Sequence, residues 1–431
     1  MIRAKVLLLC GISIFAQTLP SWAPSWRLND STLLMACDYR GLLNLSSNIV
    51  RFGIVDIDWS NGKELWANQH PMDAELMMVE QAALLKAANP RTKVFVYRNN
   101  AKALPWLASI RKKLEDPQYS GWFLTYTPGG SLPNGSYYAN PCDYDFSPAK
   151  CSSLYHDQVQ SPGHPQAGRP EDGNCTAPCD CGSIPCGEYF WNWTNGTMLQ
   201  TWFVNEHLLG PTGLANPNIS GFYFDDGFAD AVTRNPSDPW CSGSPVGGPT
   251  EADPHCWQDM GLKAPQTAAI HAALDLTFAA TRNAVMDAKG FAWNYFRAVS
   301  LPSKASGPQA CTKWFREDAH SFASTALSFS WTCEWCGVSP NDSRQQDLAA
   351  FLLVRGPFAW ITSGWGGTCT GFMADPPWTP LLELEVGVPL TPYYNESGSS
   401  GVFYRQWSGA KVSFDCNTWE GAIEPSQGNI M

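Results

Sequence analysis

Short apolar runs recur along the chain and alternate with longer stretches of helical periodicity. The runs are rich in β-branched and aromatic residues, which is typical of buried strands. Strands are predicted at Thr32 to Cys37, Arg51 to Trp59, Lys93 to Arg98, Gly121 to Thr125, Gly221 to Asp225, Phe291 to Phe296, Ala326 to Thr332 and Phe358 to Ser363.

Helices are predicted between most of these strands. The first opens at Pro71, carries Asp73 in its first turn and ends at Asn89-Pro90, as helix termini favour. Its predicted buried stripe is Met72, Leu76, Val79 and Ala83. The other predicted helices are Lys102 to Leu114, Thr197 to Leu209, Leu262 to Lys289 with a stripe of Ile270, Leu274, Phe278 and Val285, and Asp347 to Gly356.

About eight strands separated mostly by helices predict an α/β fold, a closed (β/α)8 barrel of the TIM type. An open doubly wound sheet is the alternative, but it would favour a glycine-rich phosphate loop after its first strand, and none is present. Two cysteine-bearing insertions, about 126–187 and 231–261, interrupt the pattern, and a hairpin at about 401–414 ends it. We therefore expect one domain over 24–431, behind a signal peptide at 1–23.

The first 23 residues have the three parts of a secretory signal. Arg3 and Lys5 give a basic start, an apolar run from Val6 to Ala16 follows, and Ser21-Trp22-Ala23 is a small-x-small site. No later stretch is long and apolar enough for a membrane helix. A net charge of -11 argues against nucleic acid or anionic membrane as partners. We expect a secreted, extracellular monomer.

Cysteines and glycosylation sequons agree with secretion. Fifteen cysteines become an even fourteen once Cys10 of the signal is removed, which suits disulfides in an oxidising compartment. The close spacing in the first insertion also allows zinc, which secretion disfavours. Cys241 and Cys256 are predicted to pair with each other. Nine Asn-x-Ser/Thr sequons, at Asn29, Asn44, Asn134, Asn174, Asn192, Asn195, Asn218, Asn341 and Asn395, predict a glycoprotein.

The stretch Ile219 to Phe228 joins an apolar aromatic strand to two carboxylates. In a barrel, strand ends deliver catalytic groups to the open face. Strand alternation places Tyr223 and Asp225 on one side and Phe222, Phe224 and Asp226 on the other. Two phenylalanines suit the helix layer, so Asp225 is predicted to face the cleft. The alternative is that the Asp pair caps a helix or starts a turn.

The remaining chemistry consists of other strand-end groups. Asp56 and Asp58 share one face of their strand, Arg98 ends another, and the chain has twenty Trp, some of which can stack on sugar rings. Motifs for a Gly-x-Ser-x-Gly nucleophile, a zinc helix and a P-loop are absent, and no metal or cofactor is predicted. Cys333-x-x-Cys336 is either a redox pair or structural. Paired carboxylates facing a sugar-sized cleft are the equipment of glycoside hydrolysis.

At this point the sequence resembles a known group. Gly221-Phe222-Tyr223-Phe224-Asp225-Asp226-Gly227 resembles the central strand of glycoside-hydrolase-like (β/α)8 families. The end of the chain is similar to theirs too, in Glu385 to Pro389, Gly401 to Trp407 and Gly409 to Val412. The resemblance covers roughly Arg51 to Phe414 and implies an active-site carboxylate at Asp225. Many of these enzymes also place a carboxylate at the end of the strand that corresponds to Phe291 to Phe296. In this sequence that strand ends near Asn294 without a carboxylate, so the resemblance leaves the acid/base unassigned.

We therefore predict a secreted glycoside hydrolase with an unspecified carbohydrate substrate. Asp225 is the predicted catalytic carboxylate and Glu334 its acid/base partner, with Asp58 as the fallback and Asp56 or Asp318 behind it. The predicted substrate-binding residues are Asp56, Trp59, Arg98, Tyr223, Asp226, Asn294 and Trp365. The alternatives are a barrel that binds carbohydrate without cleaving it and a cysteine-rich extracellular scaffold.

Overall fold

The computed structural model describes twelve parts of the chain, to which every structural statement below refers. They are residues 25–36, 38, 41–67, 69–124, 180–184, 189–225, 264–294, 301–319, 327–330, 340–362, 378–392 and 394–426. The predicted signal peptide, most of the first insertion, the second insertion with Cys241 and Cys256, and Asp226, Glu334 and Trp365 lie outside these parts.

Seven parallel strands form the main sheet. They are β1 (Thr32–Ala36), β2 (Ile54–Ile57), β3 (Lys93–Asn99), β6 (Gly221–Asp225), β7 (Phe291–Asn294), β8 (Leu327–Ser330) and β9 (Ala359–Thr362), in the order β7-β6-β3-β2-β1-β9-β8. Read from β8, this order follows the chain except that β8 and β9 precede β1, which is the cyclic order of a barrel opened at one seam. A two-stranded ladder, β4 (Lys102–Ala103) with β5 (Tyr189–Phe190), lies apart from it.

The sheet is curled, and aromatic contacts across its concave face show this. The ring centroids of Phe291 in β7 and Trp360 in β9 are 4.8 Å apart, although four strands separate β7 from β9 in the sheet. In a flat sheet five strand spacings would hold them roughly 24 Å apart. Phe95 of β3 completes this layer at 5.6 Å from Phe291. Gly221 makes room for it, because a Cβ there would lie 2.9 Å from the Phe95 ring.

The described residues therefore confirm the α/β class and a curled, barrel-like parallel sheet. They contain seven strands of it, and the edge strands β7 and β8 are not paired with each other in the described parts. The fourth predicted strand, Gly121 to Thr125, is wrong over the residues that the structure describes, 121–124. Pro117–Trp122 is a 3-10 helix, and Phe123 makes an isolated antiparallel bridge to Trp191. The Phe123 ring stacks on Trp191, with centroids 5.3 Å apart, and this segment is not part of the parallel sheet.

Helices cover the convex face and follow the chain between the strands. They are α1 (Lys63–Trp66), α2 (Ala74–Ala88), α3 (Ala108–Leu114), α4 (Thr197–Trp202, continued as a π-helix over Phe203–Leu208), α5 (Ala264–Asp287), α6 (Gly307–Lys313, continued as a π-helix over Trp314–Asp318) and α7 (Pro340–Val354). The stripe predicted on α5 is confirmed, since Ile270, Leu274, Phe278 and Val285 are all buried. The predicted helix from Lys102 is wrong in its first part, which forms β4 instead.

The stripe predicted on α2 is also wrong. Leu76 is 59% exposed, whereas Glu75 and Gln81 are buried. Asp73 caps the helix, accepting from the Leu76 N–H, so the helix begins at Ala74 rather than at Pro71. Gln81 is buried because its Oε1 accepts from the Leu43 N–H at 2.7 Å and from Asn61 at 3.2 Å. The buried face of α2 is thus set partly by hydrogen bonds to segments far away in the sequence, which the spacing of apolar residues along the helix cannot predict.

A second sheet closes the chain. The predicted hairpin is confirmed as β11 (Val402–Gln406) and β12 (Ala410–Asp415), and β10 (Asn395–Glu396) and β13 (Glu420–Pro425) extend it to four antiparallel strands. It packs on α7, and a disulfide joins Cys311 of α6 to Cys416 after β12. Buried Arg405 ties the two layers together by donating to the carbonyls of Leu353 and Arg355. No helix in the described parts has the length and apolarity that a membrane span requires.

We predict that Phe291→Ala destabilises the fold by about 3–5 kcal/mol, because it removes the ring that joins β3 to β9 across the concave face. Chemical denaturation of the purified chain measures this loss. Leu276→Ala on α5 is the control, because Leu276 is 67% exposed and its truncation should change stability by less than about 0.5 kcal/mol. A loss below about 1 kcal/mol for Phe291→Ala would show that the aromatic layer does not hold the curl.

Candidate active site

Carboxylates and tyrosines gather on the concave face at the carboxyl ends of β2, β3 and β6. Register places Asp56 beside Phe95, Tyr97 beside Tyr223, and Asn99 beside Asp225. Paired residues of parallel strands point to the same side, so these groups share the face that carries the aromatic layer. The aromatic layer forms the floor, and the tyrosines and Asp225 lie above it toward the strand ends.

Asp225 is held by two tyrosines. The Tyr97 hydroxyl lies 3.2 Å from Oδ2 and the Tyr223 hydroxyl lies 3.4 Å from Oδ1, so each carboxylate oxygen has a phenol donor. Asn99 in turn donates to the Tyr97 hydroxyl at 2.8 Å and fixes its position. Asp225 is half-buried, whereas Tyr97 and Tyr223 are almost fully buried. The two buried tyrosines therefore orient the carboxylate, and the residue as a whole is partly exposed.

Phe222 and Phe224 point to the other side, as alternation predicts. The Phe224 ring packs edge-to-face on Phe278 of α5, with centroids 6.0 Å apart. The Arg98 guanidinium lies 5.4 Å from the Phe222 ring centroid on the same convex side. The predicted facing of Tyr223 and Asp225 toward the concave side is therefore confirmed.

Asp56 is the innermost carboxyl of the group. It is fully buried, and neither of its oxygens has a hydrogen-bond partner in the described structure. Burial raises its pKa well above the usual range, and the nearby charges of Asp58 and Asp225 raise it further. A buried carboxyl without a counter-charge is far less costly when protonated. Burial therefore favours the protonated form of Asp56, which lies deeper on the concave face than Asp225.

Asp58 follows β2 directly and is also buried. Its Oδ1 accepts from the Ser60 N–H at 2.9 Å and from the Ser60 hydroxyl. Burial raises the pKa of Asp58, although the Ser60 hydrogen bonds and the charge of buried Lys63 oppose that shift. The site thus contains two carboxyls, Asp56 and Asp58, that burial shifts toward the protonated form, beside a third, Asp225, that is half-exposed.

An aromatic wall stands next to these carboxyls. Trp59 is half-buried, and its ring centroid lies 5.0 Å from that of Trp106 and 6.4 Å from that of Tyr97. The Lys63 ammonium lies 5.7 Å from the Trp59 ring centroid. An indole beside carboxylates is the arrangement that stacks on a sugar ring while polar groups bind its hydroxyls.

Arg98 does not join the carboxylates. It is fully buried on the convex side, where it donates to the carbonyls of Tyr97 at 2.8 Å and Thr212 at 2.6 Å, and its Nη2 lies 3.6 Å from Glu75 Oε1. Sequence reasoning placed Arg98 at the cleft because it ends a strand. Strand alternation predicts the convex side for Arg98, because Arg98 pairs in register with Phe224, whereas Asp225 pairs with Asn99 on the concave side.

Glu75 and His207 form a buried polar network with Arg98 that the sequence did not reveal. Glu75 Oε1 accepts from the hydroxyls of Ser109 at 3.1 Å and Thr212 at 2.8 Å, and His207 Nδ1 lies 3.4 Å away. Burial alone would raise the pKa of Glu75, but its hydrogen bonds and the Arg98 charge outweigh it and hold the pKa well below the usual range. Burial and then Arg98 lower the pKa of His207 to about 4.

The remaining predicted residues do not converge here in the described parts. Asn294 ends β7 and pairs in register with Phe224. Asp318 ends the π-helix that continues α6, rather than a strand. Glu334, Asp226 and Trp365 lie outside the described residues. Among the residues that the structure describes, no group of His, Cys, Asp or Glu could hold a metal ion.

Comparison with family models finds no match, and comparison with curated protein sequences finds none either.

We predict that His207 makes the fold sensitive to mild acid. Its folded pKa of about 4 lies below the ordinary 6.5, so between these values the unfolded chain binds a proton that the folded chain does not. This contribution to stability is complete above pH 6.5 and is lost as the pH falls toward 4. Between pH 7 and pH 5 the natural chain should therefore lose about 2 kcal/mol more unfolding free energy than the His207→Gln variant, which lacks this titrating group.

Denaturant unfolding at both pH values checks this. Met198→Gln is the control, because Met198 is 73% exposed and its replacement neither removes nor adds a titrating group. An equal shift in both variants, or none in either, would contradict the assignment of a buried, neutral His207.

Proposed function

We propose that this protein is a glycoside hydrolase that acts on carbohydrate outside the cell, with its active site at the carboxyl ends of β2, β3 and β6. The observation that carries the proposal is the pairing of a half-exposed, tyrosine-held Asp225 with buried carboxyls whose pKa values are raised. Glycoside hydrolysis needs one carboxyl that is protonated and one that is ionised at the same pH.

In this proposal Asp225 is the ionised carboxylate, which attacks the anomeric carbon or activates a water. Tyr97 and Tyr223 orient it through one hydrogen bond to each oxygen. The reaction is faster when the carboxylate is held in place, because little entropy is then lost in reaching the geometry of the transition state.

Asp58 is the proposed proton donor to the leaving oxygen. It lies one residue beyond β2, nearer the open end of the strands than Asp56, and burial favours its protonated form. Asp56 lies deeper, and burial favours its protonated form too. Trp59, beside Tyr97, is the proposed platform for a sugar ring. Glu334, which the sequence favours as acid/base, is an alternative donor outside the described residues.

A barrel that binds carbohydrate without cleaving it remains the second candidate. The observation that favours it is the low exposure of Asp58, 4%, since a general acid has to reach the glycosidic oxygen. Binding and turnover measured on the same protein distinguish the two candidates.

We expect Asp225→Asn to reduce turnover by about 10³-fold or more, because the amide cannot act as nucleophile or base. The natural chain is first screened on aryl glycosides and polysaccharides by release of phenol or reducing ends. The best substrate is then used to compare the variants, with its binding measured by calorimetry. The near-isosteric change should leave stability and binding almost unchanged.

Asp275→Asn is the matched control, because Asp275 is exposed on α5 and should have no effect on turnover. Full activity in Asp225→Asn would refute the proposal. Binding by the natural chain without turnover on any member of the panel would favour the non-catalytic barrel.

A further inference from the structure

A groove opens at the opposite end of the parallel sheet from the carboxylates. Its volume is about 430 Å³, and an adjoining cavity of about 130 Å³ extends it. Both are lined by residues just before β1, β2 and β3, namely Asn29, Arg51, Asn89 and Arg91. Asp225 and Asn99 instead lie at the carboxyl ends, roughly 20 Å away along a strand of the length of β3. The groove is therefore separate from the candidate active site.

Two guanidinium groups in the groove have no partner. Arg27 and Arg91 are exposed, and no hydrogen bond or ion pair to either guanidinium exists in the described structure; only their backbone groups are bonded. Arg51, by contrast, is engaged. It forms an ion pair with Glu383 and stacks over Trp378, with its Cζ 4.5 Å from the ring centroid.

One of the three acidic residues that line the groove and its adjoining cavity is paired with a cation. Glu383 is paired with Arg51 and accepts from the Trp378 indole N–H at 3.0 Å. Asp30 accepts from the Ser25 hydroxyl, a neutral donor that leaves the negative charge of Asp30 in place. Glu385 is an exposed carboxylate on the same lining. In a chain of net charge -11, the linings of the groove and its adjoining cavity carry four cations, Arg27, Arg51, Arg91 and Lys93, against three carboxylates, Asp30, Glu383 and Glu385. Arg51 and Glu383 pair with each other, so the excess of positive charge rests on the other residues.

We propose that this groove is a second binding site, for an acidic saccharide of about disaccharide size, held by Arg27 and Arg91. Guanidinium groups bind sulfate and carboxylate oxygens through two parallel hydrogen bonds. The volume lies within the range of small-molecule sites, and Trp378 offers an apolar edge to a ring. The site does not depend on catalysis at Asp225.

Calorimetric titration of the full chain with a disulfated disaccharide, its unsulfated parent and inorganic sulfate tests this. We expect the disulfated sugar to bind, with an affinity that falls as salt is raised, and the unsulfated parent to bind at least about tenfold more weakly. The double variant Arg27→Ala/Arg91→Ala should lose at least about tenfold in affinity. Glu385→Gln should tighten binding, because it removes a negative charge from the lining of the groove.

Lys289→Ala/Lys411→Ala is the charge-matched control, since both lysines are exposed and neither lines the groove. Equal loss in this control would overturn the proposal, as would equal binding of the sulfated and unsulfated sugars, or binding of inorganic sulfate as tight as that of the disulfated sugar. Asn29 lines the groove and belongs to a predicted sequon, so Asn29→Gln is tested in parallel. If the disulfated sugar binds the Asn29→Gln variant but not the natural chain, a glycan on Asn29 fills the groove in the natural protein, and the proposal is overturned.

Discussion

The structure depends on the curl of its parallel sheet, held by aromatic contact across the concave face. Phe291 and Trp360 come from strands that a flat sheet would keep far apart, yet their rings are in contact. On this concave face Tyr97 of β3 bonds Asp225 of the neighbouring strand β6, which their direct pairing already permits. The curl turns β2 toward the same point, and the charge of Asp225 acts on Asp56 of β2. Without the curl, the same strand ends would present separate, solvated carboxylates of ordinary pKa.

The two faces of the sheet treat buried charge in opposite ways. On the convex face, Arg98 and Glu75 neutralise each other, and the hydroxyls of Ser109 and Thr212 satisfy the carboxylate. That network joins β3 to α2 and to the segment after α4, which is a structural role. On the concave face, Asp56 has no cation and no hydrogen-bond partner among the described residues, so it resists ionisation instead. Unsatisfied buried carboxyls are unfavourable for stability and are therefore concentrated at sites of chemistry.

Local periodicity predicted those features that local geometry controls. Alternation along Gly221–Asp225 correctly separated Tyr223 and Asp225 from Phe222 and Phe224, and the stripe on α5 was correct because apolar packing alone defines it. Periodicity failed on α2, where Glu75 and Gln81 are buried by partners far away in the sequence. It also missed the bridge of Phe123 to Trp191 and the Cys311–Cys416 disulfide, since pairing between remote segments leaves no periodic signal.

The most direct test of the central claim is a ¹³C NMR pH titration of the aspartate carboxyls in the full chain and in Asp225→Asn. If the curl brings the carboxyls into one coupled cluster, Asp56 stays protonated well above the ordinary aspartate range, because burial and then the charges of Asp58 and Asp225 disfavour its ionisation. Removing the charge at position 225 should then lower the Asp56 midpoint. An Asp56 that titrates in the ordinary range, with a midpoint unchanged in Asp225→Asn, would contradict the cluster and with it the proposed active site.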